Sequence, residues 1–186
     1  MKFFIFFLTV FLSVCLNANA EQSFLQNAAG VTLYSVDDSE LENEEKPNNW
    51  QSRAQEVLVN ALSLTGIQYK YGGKSPETGF DCSGFVRYVF SQATNLSLPP
   101  TARAISQIGK TVKKDDLQPG DLVFFNTLKS AFSHVGIYMG DNKFIHAPST
   151  GKTVRVESMK SSYWAKRFNG AQRLDTEVEK SAINGR

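Results

Sequence analysis

The sequence predicts a single α+β domain, in which helices come first and an antiparallel sheet follows. In residues 50–110 apolar side chains recur every three or four positions, the spacing of helices buried on one face. From residue 117 onward, short apolar runs alternate with turn residues such as glycine, proline and asparagine, as in strands joined by turns. Helices and strands that are segregated along the chain indicate α+β rather than alternating βα units.

The first 20 residues are expected to be a secretory signal peptide. Lys2 precedes a short apolar run that ends in Ala18-Asn19-Ala20, and these are the three parts of such a peptide. We predict cleavage after Ala20 and export to the periplasm or cell envelope. In the alternative interpretation Cys15 belongs to a weak lipoprotein signal and carries a lipid anchor.

Residues 21–49 are predicted to be a disordered acidic spacer, since they hold seven acidic residues against one lysine without sustained periodicity. Residues 50–174 form the predicted domain, and residues 175–186 a polar tail. From residue 50 to the end, 18 basic residues stand against 11 acidic ones. This basic surface suits an anionic polymer such as cell wall, although many solvated surfaces look the same.

Helical spacing predicts two main helices in the first half of the domain. The first begins at Trp50 and ends near Gly66, with one apolar face formed by Ala54, Val57, Leu58, Ala61 and Leu62. The second begins at Cys82, and its buried face continues through Phe85, Val86, Val89, Phe90 and Ala93. Cys82 therefore lies at a helix N-terminus, where unpaired N–H groups and the helix dipole favour a thiolate.

A short helical piece follows, and then alternation predicts about five strands. The short helix spans residues 102–108. The strands are predicted at residues 121–125, 133–139, 143–147, 153–157 and 170–174. Because consecutive strands are joined by turns such as Gly140-Asp141-Asn142, we expect an antiparallel meander.

The two histidines of the protein fall on adjacent predicted strands. If the turn between the strands has three residues, or an equivalent bulge, Met139 pairs with Lys143. Side chains alternate along a strand, so His134 and His146 then share one face as diagonal neighbours. Gly136 lies between them and would leave room for the rings. A two-residue turn without a bulge would separate the histidines onto opposite faces.

Cys82 is the only cysteine left once the signal peptide is removed, so no internal disulfide is possible. A free thiol in an oxidising compartment is either an inert core residue or the working group of a site. Placed next to two histidines, it has the arrangement of a Cys–His nucleophile pair. Zinc bound by Cys82, His134 and His146 is an alternative with suitable ligand types.

Five blocks of the sequence, taken in order, resemble the NlpC/P60 family of cell-wall cysteine peptidases. The blocks are residues 69–73, 79–86 with Phe80-Asp81-Cys82-Ser83-Gly84, 117–125, 133–138 with Ser133-His134-Val135-Gly136, and 144–147. The resemblance covers nearly the whole predicted domain. It implies a papain-like fold with the nucleophile at a helix N-terminus, and hydrolysis of amide bonds in peptidoglycan stem peptides or cross-links.

The resemblance also implies roles for individual residues. Cys82 would be the nucleophile, His134 the general base and His146 the residue that orients the base. Tyr69 matches a tyrosine that borders the site, and we expect its hydroxyl to join the backbone N–H of Cys82 in stabilising the oxyanion.

The residues that flank the nucleophile have two interpretations. Asp81 and Ser83 could bind polar or cationic groups of the substrate, or they could belong to a turn or helix N-cap. Gly84 would let the substrate backbone approach. Peptidoglycan is the expected partner of a monomer that needs no cofactor, binds no nucleic acid, and contacts a membrane only if it is lipid-anchored.

The bond that is cut stays open at this point, either inside one stem peptide or in the cross-link between two. The sequence contains no recognisable extra wall-binding module, and this favours the cross-link. Alternatives are a papain-like amidase or acyltransferase, and a non-catalytic wall-binding module.

Overall fold

The computed structural model describes residues 49–127 and 130–174. The predicted signal peptide, the predicted spacer up to residue 48 and the predicted tail at 175–186 lie outside these residues. Asn49 already belongs to the first helix, one residue earlier than predicted. No helix in the described ranges is long and apolar enough to cross a membrane.

The described chain runs from helices into a sheet, as predicted. Its elements are α1 (Asn49–Ser63), β1 (Lys74–Ser75), β2 (Gly79–Phe80), α2 (Cys82–Thr94), α3 (Ala102–Ile105), β3 (Lys110–Val112), β4 (Leu122–Phe125), β5 (His134–Gly140), β6 (Lys143–His146), β7 (Arg155–Ser158), α4 (Ser162–Ala165) and β8 (Phe168–Arg173). The α+β class is therefore confirmed.

The main sheet has six strands in the order β3-β8-β4-β5-β6-β7, and every neighbouring pair is antiparallel. Five of them correspond to the predicted strands, but only β4 to β7 follow the predicted meander, because β8 pairs with β4 instead of β7. The sixth, β3, has no alternation to reveal it, because it is a three-residue edge strand with a single buried residue. β1 and β2 form a separate small hairpin within the stretch expected to be a loop.

The larger core lies between α1, α2 and one face of the sheet. Phe85, Val86, Val89 and Phe90 are buried on α2, as the spacing predicts. Leu62 was expected on the buried face of α1, yet it is 46% exposed. The buried face of α1 is therefore narrower than predicted. Leu64, which follows the last residue of the helix, is buried instead of Leu62.

The opposite face of the sheet has a smaller aromatic core, built mainly from Phe125, Tyr138, Phe144 and Trp164. Trp164 comes from the short helix α4, which covers this face. The histidines belong to this side, whereas α2 packs on the other. Cys82, the first residue of α2, nevertheless lines the same cleft as His134.

The β5–β6 hairpin has the expected register because one of its strands contains a bulge. Its loop is the two-residue Asp141-Asn142, with positive φ angles of 51° and 56°, the conformation favoured in tight hairpins. Lys143 pairs with Gly140, so the prediction that it pairs with Met139 is wrong. A bulge between Tyr138 and Gly140 then restores the predicted alignment further along the strands.

Candidate active site

A cleft of 360 Å³ opens where the N-terminus of α2 meets the beginning of β5. It is lined by Tyr69, Cys82, Thr127, Ser133, His134, Pro148, Ser149, Lys152, Arg155, Glu157, Ser161, Tyr163 and Trp164. Three residues predicted from the sequence, Tyr69, Cys82 and His134, thus line one cleft, with His146 buried directly behind His134.

Cys82 is the first residue of α2, and Asp81 is the N-cap. One carboxylate oxygen of Asp81 accepts from the backbone N–H of Gly84 at 2.7 Å, and the other accepts from that of Gly72 at 3.1 Å. The hydroxyl of Ser83 donates to Asp81 and to the carbonyl of Pro100, each at 3.0 Å. The capping interpretation of Asp81 and Ser83 is thus observed, and contact with substrate stays a prediction.

Gly84 has a structural reason that the sequence did not suggest. A Cβ atom at this position would lie 2.1 Å from the carbonyl oxygen of Gly73, which is an impossible contact. The absence of a side chain therefore lets the loop before β1 pack against the helix, and the approach of a substrate backbone at Gly84 stays a prediction. Through this contact and the hydrogen bond to Gly72, the loop is held against the nucleophile.

The predicted convergence of the histidines is confirmed. Nε2 of His134 and Nδ1 of His146 lie 2.7 Å apart and share a hydrogen bond. His134 is 3% exposed and His146 is fully buried. A Cβ atom on Gly136 would lie 3.2 Å from Cβ of His146, so a glycine is what permits this close approach.

The hydrogen bond to His146 uses Nε2 of His134, so Nδ1 is the nitrogen of this ring that remains for another partner. The side chains of His134 and Cys82 line the same cleft, but no direct hydrogen bond joins them within the described part of the chain. Catalytic hydrogen bonds are commonly loose in a free enzyme and tighten when substrate binds. The backbone N–H groups of Val135, Ser83 and Cys82 itself act on the sulfur and favour its thiolate.

Burial nevertheless dominates the protonation of both groups. Burial, followed by the charge of Asp81, raises the pKa of Cys82 to about 11. Burial, followed by the neighbouring His146, lowers the pKa of His134 to about 3. At neutral pH the free protein therefore holds a thiol and a neutral imidazole, in contrast to the thiolate that a helix N-terminus alone would favour.

Tyr69 is half-buried in the lining of the cleft, and its backbone N–H donates to the carbonyl of Lys152 at 2.8 Å. Burial, and then the nearby Cys82 and Asp81, raises the pKa of its phenol. The hydroxyl therefore stays protonated and can donate a hydrogen bond.

The zinc alternative does not fit the side chains. His134 and His146 direct ring nitrogens at each other, at a hydrogen-bonding distance. Within residues 49–127 and 130–174, no three His, Cys, Asp or Glu side chains are arranged to hold a metal ion.

Two residues that the sequence did not single out complete the surroundings of the histidines. The ring of Trp164 stacks on His134, with centroids 5.4 Å apart and planes inclined by 26°. The carboxylate of Glu157 lies 3.8 Å from Nε2 of His146. The alternation of residues 153–157 does predict that Arg155 and Glu157 share one face of their strand. It does not predict whether that is the face of the histidines, because eight residues separate β6 from β7 and leave the pairing of the two strands open.

Comparison with known proteins gives consistent matches. The model of the NlpC/P60 family matches residues 66–173. The murein DD-endopeptidase MepH of Escherichia coli is 34% identical over 156 residues, covering 82% of this chain and 54% of the relative. The Escherichia coli protein named murein DD-endopeptidase MepS/murein LD-carboxypeptidase is 36% identical over 167 residues, covering 89% and 87%.

Solved structures agree with this. The crystal structure of an NlpC/P60 family protein from Bacillus cereus has a TM-score of 0.60 and 30% identity, covering 64% of this chain and 39% of that one. This chain therefore spans about half the length of MepH and less than half of the Bacillus cereus protein, but most of MepS.

Proposed function

Because the chain belongs to the NlpC/P60 family, we propose that it is a cysteine endopeptidase that cleaves amide bonds in bacterial peptidoglycan. One observation carries this proposal: Cys82 begins a helix at a cleft that His134 also lines, and the ring of His134 is held by the buried His146. The names of its murein endopeptidase relatives support the class of substrate.

In the proposed reaction, Nδ1 of His134 accepts the proton of the Cys82 thiol as sulfur attacks the scissile carbonyl carbon. His146 accepts the hydrogen bond from the other nitrogen of His134 and so orients the ring. The imidazolium then returns its proton to the leaving amine, and the substrate acyl group remains on sulfur as a thioester. Water attacks this thioester, with His134 as base, and the thiol is regenerated.

The negative oxygen formed in each attack needs hydrogen-bond donors. The backbone N–H of Cys82 and the protonated hydroxyl of Tyr69 are the proposed donors, and a donor of this kind lowers the barrier by roughly 3–4 kcal/mol. Asp81 and Ser83 also line a small cleft of 190 Å³ beside the helix N-terminus. They are proposed to contact a polar or cationic group of the substrate there, in addition to capping the helix.

We propose the cross-link between stem peptides as the bond that is cut. The relatives named murein DD-endopeptidases support this choice, because their names specify cleavage between D-configured residues. The basic start, apolar run and Ala18-Asn19-Ala20 of the sequence support export to the cell envelope, with a lipid anchor at Cys15 as the alternative. The proposed working form is a monomer.

The first test is Cys82→Ala, which removes the proposed nucleophile by deleting a single sulfur atom from a partly buried side chain. We expect release of soluble fragments from purified peptidoglycan to fall to the level without enzyme, with an unchanged circular-dichroism spectrum. Ser91→Ala is the matched control, because it truncates an exposed side chain of the same helix. Full activity of Cys82→Ala would refute the assignment of the nucleophile.

Muropeptides of known structure can show which bond the protein cuts. Mass spectrometry of the products from a cross-linked dimer should show two uncross-linked stems, each with its internal bonds intact. Cleavage within the stem would instead assign the protein to the other specificity, and transfer to an added amine would indicate an acyltransferase.

A further inference from the structure

The orienting role of His146 depends on which of its nitrogens carries the proton. If the proton is on Nε2, Nδ1 of His146 is free to accept from Nε2–H of His134, and Nδ1 of His134 is left unprotonated, as the proposed base for Cys82 must be. If the proton is on Nδ1, His146 donates to His134 instead. The hydrogen of His134 would then sit on its own Nδ1, and His134 could not accept the thiol proton there.

Nε2 of His146 has a feature that the triad does not explain. His146 is fully buried, and its Nε2 makes no hydrogen bond among the described residues. A buried N–H without an acceptor is costly. The carboxylate of Glu157 is directed at this nitrogen from 3.8 Å, a gap that a shift of less than about 1 Å would close to a normal hydrogen bond.

Glu157 is held in place from two other sides. Its carboxylate accepts from the guanidinium of Arg155 and from the indole N–H of Trp164. The same indole stacks on His134 and meets His146 edge-on, with ring centroids 5.0 Å apart. The carboxylate, the indole and both imidazoles thus form one contiguous cluster.

The register of the sheet explains how the carboxylate reaches this position. His146 pairs with Arg155 and Phe144 pairs with Glu157, so Glu157 is a diagonal neighbour of His146 on the same face. Its side chain is only 22% exposed. The strand therefore presents the carboxylate beside His146, at the wall of the cleft that Glu157 also lines.

We propose that Glu157 is a positioning residue, which holds the proton of His146 on Nε2 and thereby keeps Nδ1 of His134 free to accept the proton of the Cys82 thiol. This inference rests on the proposed function of the Cys82–His134 pair. During attack one proton moves from sulfur to His134, the positive charge is shared with His146, and Glu157 stays ionised.

The charges around the histidines favour this role for Glu157. Lys152 and Arg155 are positive and oppose protonation of His146, as does burial. Glu157 is the negative group that opposes them, and its charge also raises the pKa of His134. Its contact with His146, ahead of those with Trp164 and Arg155, lowers the pKa of Glu157 to about 2. On the sulfur side, Asp81 and Tyr69 are the nearby titratable groups.

The test is Glu157→Gln in the full chain, with Glu56→Gln on the exposed surface of α1 as the matched control. We expect kcat on a cross-linked muropeptide to fall about 10- to 100-fold at unchanged KM, since the substituted group acts through others. The limb of the pH profile that reports the histidine should move to lower pH, because the imidazolium loses its negative neighbour. Glu157→Asp should recover part of kcat, while Glu56→Gln should match wild type.

Nitrogen NMR of the imidazoles tests the same point without catalysis. The chain has only two histidines, so four ring-nitrogen signals are expected from protein labelled at histidine and made without a histidine tag. In wild type, Nε2 of His146 should be protonated and Nδ1 should have the shift of a hydrogen-bond acceptor. Glu157→Gln should reduce the population of this tautomer.

Three results would overturn the proposal: a wild-type His146 protonated on Nδ1, a Glu157→Gln variant with wild-type kcat and tautomers, or a rise in KM alone, which would make Glu157 a substrate contact. The wild-type spectrum decides the matter even if the variant does not fold. An inactive wild type with the expected tautomer would instead refute the proposed function and leave the positioning of His146 intact.

Discussion

At the scale of single residues, burial decides the protonation of Cys82 and His134. The dipole and free N–H groups of α2 favour a thiolate at Cys82, yet burial and Asp81 together outweigh them and raise its pKa to about 11. Burial also lowers the pKa of His134 and favours the neutral ring. In the proposed reaction the two groups would therefore start as thiol and imidazole, and the proton would move when sulfur attacks, as in a serine hydrolase, instead of being transferred in advance.

This protonation state predicts how Cys82 reacts with iodoacetamide. Only the thiolate is alkylated, so the rate should rise about tenfold per pH unit from pH 7 to pH 9 without a plateau. Mass spectrometry of the peptide that contains Cys82 measures the rate, and a model cysteine peptide, which levels off above its lower pKa, is the control. A plateau below pH 7 would instead reveal a resident thiolate–imidazolium pair.

At the scale of elements, the site is assembled by one helix end and one hairpin. Asp81 caps α2 and ties the loop at Gly72 to it, which fixes the position of Cys82. The β5–β6 hairpin fixes both histidines, and its bulge and two-residue turn make the register that brings them to one face. Gly136 is the position in this hairpin with no room for a side chain, because Phe144 and the backbone of Ile145 lie against it.

Gly136→Ala should damage the hairpin and the site together. The new Cβ would lie 2.7 Å from Cδ2 of Phe144 and 2.9 Å from the carbonyl oxygen of Ile145. We expect a loss of about 1–3 kcal/mol in the free energy of unfolding, measured with urea, as in other overpacked cores. The displacement of β6 should also lower kcat of the protein that remains folded.

Gly66→Ala provides the comparison for this variant. Its φ of +91° penalises alanine, but nothing lies within 4 Å of the new Cβ. It should lose stability while kcat of the folded protein is kept. An equal loss of kcat in both variants would mean that reduced stability, and not the position of His146, limits activity.

At the scale of the whole molecule, the buried site makes the fold sensitive to acid. His134 has an ordinary pKa of 6.5 and a pKa of about 3 in the folded protein, so below pH 6.5 only the unfolded chain takes up this proton readily. Glu157 has an ordinary pKa of 4.5, lowered to about 2, and its contribution disappears as pH falls from 4.5 toward 2. Both effects favour unfolding in acid.

The free energy of unfolding should therefore decrease between pH 6.5 and pH 4.5, before most carboxylates titrate. The slope from one fully depressed histidine is at most about 1.4 kcal/mol per pH unit. Urea titrations at a series of pH values measure it, and His134→Gln should flatten this part of the curve. An identical slope in His134→Gln would show that His134 is not responsible.

Much of this molecule follows from local patterns. The recurrence of apolar residues every three or four positions predicts α1 and α2, and it predicts that Cys82 lies at the start of a helix. Alternation predicts that His134 and His146 share a face only if the hairpin has a bulge or a three-residue loop, and the structure supplies the bulge. The sequence allows two interpretations of Asp81, because an aspartate that caps a helix and an aspartate that binds substrate are the same residue at the same position.

Spacings over a few residues are enough to predict the class of fold and the helix that starts at Cys82, because both are local patterns. The face shared by the histidines depends also on the bulge between Tyr138 and Gly140, which alternation does not reveal. The positions of Glu157 and Trp164 around the histidine pair follow from the folded chain alone, since a long connection separates β7 from β6 and leaves their register open. The tertiary structure also decided the protonation of Cys82 and His134. The free energy of a buried charge depends on everything packed around it, and no local spacing records that.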